Sequence, residues 1–295
     1  MSKIMVTGCS GFIGTHLTKR LLESGFHVIG YDLNASLLRD RNFEFIKGDI
    51  LDVEKLQESM GGCKSVFHLA AQTKVPASTE NPLADFKTNA EGTFNVLSVA
   101  KEHGAKVVYA STSTVYGIAE TPTKESHPLQ PISFYGASKA AGDMYCFAFN
   151  STFGLDTIVL RIFNAYGPGN AKGVMYDLFK KLERDPTYLE IIGTGLQEKD
   201  YIYIDDTVDA LMIAYERGAS GEAYNVGSGI STTVNEIAEL IFDILDIHPK
   251  VTYTGKSWKG DVESSLADIS KLKNLGWNPK VGIEDGIEKL YEWMQ

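Results

Sequence analysis

Tyr135 and Lys139 stand four residues apart in the stretch Tyr135-Gly136-Ala137-Ser138-Lys139, which reads as the opening turns of a helix. At that spacing two side chains share one helix face, their Cβ atoms roughly 5–6 Å apart, so an ammonium is placed to act on a phenol. An unperturbed tyrosine, with a pKa of about 10, is a poor base toward an alcohol at neutral pH, and a fixed cation nearby favours the phenolate. The pair is therefore a candidate general base. The same spacing occurs by chance in many helices, so the assignment depends on the elements that surround it.

Those elements begin at the N-terminus. Lys3 to Thr7 reads as a buried strand, followed by Gly8-Cys9-Ser10-Gly11-Phe12-Ile13-Gly14 and an amphipathic helix through about Ser24. A strand, a glycine turn and a helix start form a cradle for a pyrophosphate: Gly8 permits the turn, Gly11 lets the backbone approach the anion, and Gly14 allows close helix packing. The next strand, His27 to Tyr31, ends in Asp32, about twenty residues on and placed to bond a ribose 2′-hydroxyl. A carboxylate there would repel a 2′-phosphate, which favours NAD over NADP; Arg39 and Arg41 are the nearby residues that oppose this preference. Strands at Phe43 to Lys47, Ser65 to Leu69 and Lys106 to Ala110 alternate with helices around Val53 to Met60 and Leu83 to His103. Repeated units of this kind predict an α/β, doubly wound parallel (Rossmann) sheet with ligands at the carboxyl ends of its strands. Asp49-Ile50, Ala70-Ala71-Gln72 and Ser111 to Thr114 occupy three such ends.

The chain has 295 residues, 43% apolar and 22% charged, enough for one large domain or two small ones. Its formal charge of −10 argues against a general nucleic-acid or anionic-membrane binder, although a local basic pocket for an anionic small substrate is compatible with it. Cys9, Cys63 and Cys146 have neither a disulfide framework nor metal-ligand spacing, so no metal is expected. With no signal-like or long apolar segment, a cytoplasmic protein is expected.

The ordered motifs TGCSGFIG (Thr7 to Gly14), GDI (Gly48 to Ile50), HLAAQ (His68 to Gln72), NAEGT (Asn89 to Thr93), STSTVYG (Ser111 to Gly117), YGASK (Tyr135 to Lys139) and RIFNAYGPG (Arg161 to Gly169) cover most of the chain. Together they resemble an extended short-chain dehydrogenase/reductase of the NAD-dependent sugar epimerase/dehydratase family, nucleotide-sugar 4-epimerases being the nearest type. The resemblance implies Tyr135 as acid/base, Lys139 on the nicotinamide ribose and Thr112 on the reacting hydroxyl. It implies NAD against Gly8, Gly11, Phe12, Ile13, Gly14, Asp32, Asp49, Ile50, Ala70, Ala71, Gln72, Tyr135 and Lys139. It further implies a nucleotide-sugar substrate, with interconversion of UDP-glucose and UDP-galactose the expected form, and a homodimer using the helix that carries the tyrosine and lysine. A reduction, a different epimerisation, a dehydration, or a dinucleotide-binding sensor without catalysis are the competing readings.

Dehydratases of that family carry Asp-Glu at the two positions after the threonine, where this chain has Ser113 and Thr114. Eliminating water requires a general acid and base at the sugar's outer carbons, and hydroxyls are poor substitutes for carboxyls, so dehydration is disfavoured. In the second half, Asn164 in the Phe163 to Gly169 turn is a substrate candidate by the resemblance, as are Lys199, Trp258 and Lys259. Lys199 and Trp258 occupy positions where the family usually carries arginines for the diphosphate, and a lysine lacks the bidentate fork of an arginine. Residues 1–165, with a return near 200–225, are expected to form the NAD-binding domain, and 166–295 mainly a smaller C-terminal substrate-binding cap.

Overall fold

Central parallel strands are covered on both faces and so take apolar residues at every position, which is why the short apolar runs of this chain line up as one sheet. The computed structural model describes residues 2–256 and 262–295. In chain order the strands are β1 (Lys3–Thr7), β2 (His27–Asp32), β3 (Phe43–Lys47), β4 (Ser65–His68), β5 (Lys106–Thr112), β6 (Thr157–Ile162), β7 (Asn164–Tyr166), β8 (Tyr188–Ile191), β9 (Glu198–Tyr203), β10 (Glu222–Val226), β11 (Ser231–Thr233), β12 (Lys250–Tyr253) and β13 (Ser264–Ser265). Seven of them form a parallel sheet in the order β10-β6-β5-β4-β1-β2-β3. β4 and β6 are buried at every position.

The winding reverses at β1, whose neighbours are β2 on one side and β4 on the other. The register sets Thr7 level with Tyr31 and with His68, so the carboxyl ends of three strands open onto one crevice. The expected α/β doubly wound sheet is therefore present. β10, far along the chain, closes its outer edge beside β6.

The helices are α1 (Phe12–Glu23), α2 (Val53–Met60), α3 (Val75–Glu80), α4 (Pro82–Phe86), α5 (Gly92–His103), α6 (Phe134–Phe153), α7 (Val174–Arg184), α8 (Ile204–Arg217), α9 (Val234–Leu245), α10 (Ser270–Asn274) and α11 (Ile283–Met294). The helix expected over 83–103 is not continuous: α4 and α5 are joined by a π turn at Lys87–Glu91. Such turns insert one residue into a helix and occur frequently at functional sites. α6 starts where the Ser133 hydroxyl accepts from the Gly136 amide at 3.0 Å, and it stops at Gly154, whose φ of +68° is left-handed.

A second layer is built around β9, which pairs with β11, β13 and β7, while β8 pairs with β12. Asp200 of β9 is wholly buried, and its carboxylate accepts from the Ser228 amide and hydroxyl (2.6 and 2.7 Å) and from the amides of Gly229 (3.0 Å) and Ala267 (3.1 Å). A Cβ at Gly227 would stand 2.5 Å from that carboxylate, so only glycine lets the strands close on it.

A buried ion pair joins α6 to the central sheet. Arg161 of β6 donates from Nε to Asp143 of α6 at 2.8 Å, with side-chain exposures of 3% and 0%. Arg161 also donates to the Tyr116 hydroxyl (2.9 Å) and the Glu125 carbonyl (2.8 Å), and Tyr116 donates to Asn225 Oδ1 (2.6 Å). One guanidinium thus ties α6 to β6, to the loop before α6 and to β10. Removing one member of such a pair strands the other charge in a medium that solvates it poorly. Arg161→Met is expected to lower the unfolding free energy by about 3–5 kcal/mol in urea titration, and a loss below about 1 kcal/mol would show that Asp143 finds another partner.

Candidate functional site

The glycine turn has the geometry of an anion cradle. Gly8 adopts φ +74°, and a Cβ there would lie 2.6 Å from the Ala70 amide nitrogen. At Gly14 a Cβ would lie 2.0 Å from the Gly8 carbonyl oxygen, so α1 can approach the turn only without a side chain. Gly11 is the N-cap of α1 and supplies no side-chain cap, which leaves the first-turn amides around Phe12 and Ile13 directed at whatever anion the turn receives. Asp32 closes the turn from β2, accepting from the Ser10 amide (3.0 Å) and the Asn34 amide (2.9 Å). The Arg39 guanidinium is taken up by the carbonyls of Ser36 (3.0 Å) and Leu38 (2.8 Å), beside an open hollow of about 480 Å³ lined by Arg39, Arg41, Phe43 and Phe45. Asp49 accepts from the Leu51 amide at 3.0 Å, and Ile50 is buried where Gly92 leaves room, since a Cβ at Gly92 would meet Ile50 Cδ1 at 2.4 Å. These residues fit a dinucleotide with a free ribose diol.

A directed hydrogen-bond chain runs from this cradle to the π turn. Thr93 donates its hydroxyl to the Asn89 carbonyl (2.5 Å), so at 3.0 Å from His68 Nε2 it accepts, and His68 carries its proton on Nε2. His68 Nδ1 then accepts from the Thr7 hydroxyl (2.7 Å), and Thr7 accepts from the Ala70 amide (3.3 Å). Burial, followed by the charge of Lys139, pushes the His68 imidazolium down to about pKa 3, so the ring is neutral at pH 7.

From the π turn the network passes to α6. The Asn89 amide donates to the Gln72 carbonyl (3.0 Å), to Asp85 (3.1 Å) and to the Ser138 hydroxyl (3.1 Å), while its oxygen accepts from the Gln72 amide (2.9 Å). Asp85 accepts from the side chains of Gln72 (2.9 Å) and Ser138 (2.5 Å). Ser138 lies between Tyr135 and Lys139, and the Tyr135 amide donates to Ser78 (3.2 Å), so the first turn of α6 is held from both sides.

Within this frame Lys139 is buried, its ammonium donating to the Ala110 carbonyl at 2.7 Å and standing 4.1 Å over the Tyr109 ring. Burial brings Lys139 down to about 8, against the pull of Asp143, so it is charged at pH 7. Tyr135 is half-buried, and desolvation raises it to about 12, opposed by a hydrogen bond from Thr112. This departs from the expectation that the lysine lowers the phenol: here the ammonium is turned to a carbonyl and an aromatic face, and burial dominates. The Thr112 hydroxyl also accepts from the Thr114 amide (3.3 Å) and hydroxyl (3.2 Å).

The structure therefore brings together Gly8, Gly14, Asp32, Ala70, Gln72, Thr112, Tyr135 and Lys139. Asn164, expected at the substrate, spends its side-chain amide on the Asp200 carbonyl (2.9 Å). Lys199 lies on β9 between Thr232 and Ser265. Trp258 and Lys259 lie outside the described residues. Asp85, Ser78 and Ser138 were not anticipated, because their roles depend on contacts across 49 to 57 residues of chain; of these contacts only the one between Ser138 and Asn89 falls within quoted motifs. Among the described residues no cluster could hold a metal ion, and no helix is long and apolar enough to cross a membrane.

Residues 4–227 match the NAD dependent epimerase/dehydratase family. The UDP-glucose 4-epimerase of Mycolicibacterium smegmatis is 32% identical over 317 aligned positions, covering 99% of this chain and 98% of its own. A dTDP-glucose 4,6-dehydratase of Streptomyces niveus is 32% identical, covering 99% of this chain and 92% of its own. The crystal structure of a UDP-glucose 4-epimerase with UDP-glucose from Thermotoga maritima superposes with a TM-score of 0.92 at 35% identity, covering 99% of this chain and 98% of that one.

A neutral buried histidine makes stability depend on acid. The unfolded chain takes up the proton below the ordinary pKa of about 6.5, whereas folded His68 does so only near 3, so stability falls as pH drops through that window by about 1.4 kcal/mol per unit. His68→Gln is expected to remove about 2 kcal/mol of the loss between pH 7 and 5, read from urea midpoints at both values. An unchanged slope would show that His68 does not carry it.

Proposed function

The chain belongs to the NAD-dependent epimerase/dehydratase family, and from that premise we propose that it is a nucleotide-sugar 4-epimerase, interconverting UDP-glucose and UDP-galactose through a 4-keto sugar. The observation that carries this reading is the pair after Thr112. Ser113 and Thr114 offer no carboxyl, and their 3₁₀ turn folds the Thr114 hydroxyl back onto Thr112. Epimerisation needs no further acid, because the group that takes the proton from the C4 hydroxyl can return it.

NAD is the cofactor and, when bound, supplies a hydride acceptor and donor for C4. The remaining work falls to the chain. Thr112 orients the hydroxyl, and Tyr135 takes its proton and gives it back. With a phenol raised to about 12, Tyr135 rests protonated, which suits the return step and makes the forward step depend on nearby positive charge. We assign that charge to Lys139, charged below about 8 and on the same helix face, once its ammonium turns from the Ala110 carbonyl toward the phenol.

The α5 and α6 surface carries exposed Phe94, Met144, Tyr145 and Phe153, with Phe94 edge-on to Tyr145 at 5.3 Å. An apolar face of this kind on the helix that bears Tyr135 supports a homodimer packed through α5 and α6. Equilibrium sedimentation should give twice the chain mass, and Met144→Glu should return it to one.

The catalytic reading is tested by incubating the protein with UDP-glucose and analysing for UDP-galactose. Conversion is expected, and Tyr135→Phe should reduce it by at least about 10²–10⁴-fold while NAD remains bound. Turnover of another sugar nucleotide in its place, or retained activity in Tyr135→Phe, would refute the reading.

A further inference from the structure

Two lysines on segments that a hydrogen bond joins at the carboxyl-end side of the sheet have no acid to balance them. Lys172, on the segment between β7 and α7, donates its ammonium to the Thr73 hydroxyl at 2.9 Å. Thr73 and Lys74 follow Gln72 on the segment between β4 and α3, and the Gln72 side chain grips Lys74 at both its amide and its carbonyl. Gln72 is itself held by Asp85 and Asn89, the groups that fix the start of α6, so the lysine pair is mounted on the same frame as Tyr135. Among the described residues neither ammonium has a carboxylate within ion-pair distance. Partial burial of the ammonium and then the neighbouring Lys74 disfavour the charged form of Lys172.

Both lysines are solvent-exposed, so together they form a local positive spot, open to a diffusing anion, on a protein of net charge −10. Three anions are in question. The pyrophosphate of NAD belongs to the glycine turn at Gly8 to Gly14, where first-turn amides serve it. A carboxylate would require an acidic sugar. A diphosphate is present in every nucleotide sugar, and at its usual arginine positions this chain has Lys199 and Trp258. Lysine binds phosphate as a point charge, so two ammoniums from separate segments can replace a bidentate fork.

We propose that Lys74 and Lys172 bind the diphosphate of the nucleotide-sugar substrate, clamping the β4–α3 segment to the β7–α7 segment across it. The inference rests on the reading of the substrate as a nucleotide sugar. It assigns the diphosphate to residues outside the family's usual arginine positions.

The test titrates UDP and uridine into the NAD-containing protein and into its Lys74→Met, Lys172→Met and Lys172→Arg variants by calorimetry. Each methionine variant should weaken UDP by about 10-fold, whereas Lys172→Arg should keep most of the affinity. Uridine, which has no phosphate, should bind all four proteins alike. The salt dependence of UDP binding should flatten in both methionine variants. Unchanged UDP affinity in both would overturn the proposal. So would equal weakening of uridine, or a loss of NAD in place of UDP, which would move the anion to the cofactor. Lysine-dependent UDP binding without epimerisation of UDP-glucose would leave this site standing and refute the 4-epimerase reading alone.

Discussion

Asn89 is the point on which the site depends. The π turn that carries it inserts one extra residue between α4 and α5, and the cost in regular helix geometry is offset because each arm of the Asn89 amide finds a partner. Its backbone carbonyl takes the end of the chain that starts at Thr7, and its side chain reaches Ser138 in α6. The glycine turn, the end of β4 and the first turn of α6 are thereby held in one register. Buried polar networks are stabilising only when every member is satisfied, and the two side-chain N–H groups of Asn89 are shared among three acceptors, the Gln72 carbonyl, Asp85 and Ser138.

Electrostatics at the site is governed by burial more than by pairwise attraction. Lys139 comes down to about 8 and Tyr135 goes up to about 12, both driven first by desolvation. A cation on the same helix face does not by itself make the phenol an active base; the direction of the ammonium decides. Lys139 points to the Ala110 carbonyl, which places its charge under the strand end that also bears Thr112. Behind it, Asp143 pairs with Arg161 to hold α6 on the central sheet, and its charge also favours the ammonium of Lys139 against burial.

Local rules made much of this readable in the chain. The glycine positions follow from steric necessity, as the overlap of a Cβ at Gly14 with Gly8 shows, and the capping box at Thr233 and Glu236 forms as its residues demand. The parallel doubly wound sheet could be anticipated because repeated βαβ units leave few alternatives. What was not readable depends on long-range contact. Asp85 looks like an ordinary helix carboxylate until Gln72, Asn89 and Ser138 converge on it, and the π turn has no composition that distinguishes it from the helix expected over 83–103. Asn164 is the converse: a turn asparagine with a substrate role by resemblance, whose amide in the fold secures β9.

The central claim is that the sugar is oxidised at C4, kept there as a ketone, and reduced again at the same carbon through Tyr135. UDP-glucose carrying deuterium at C4 addresses it directly, with the product analysed by nuclear magnetic resonance. Retention of the label at C4 of UDP-galactose, and no label elsewhere in the sugar, is the predicted result. Migration of deuterium to C6 with loss of water, or its exchange into solvent, would contradict it.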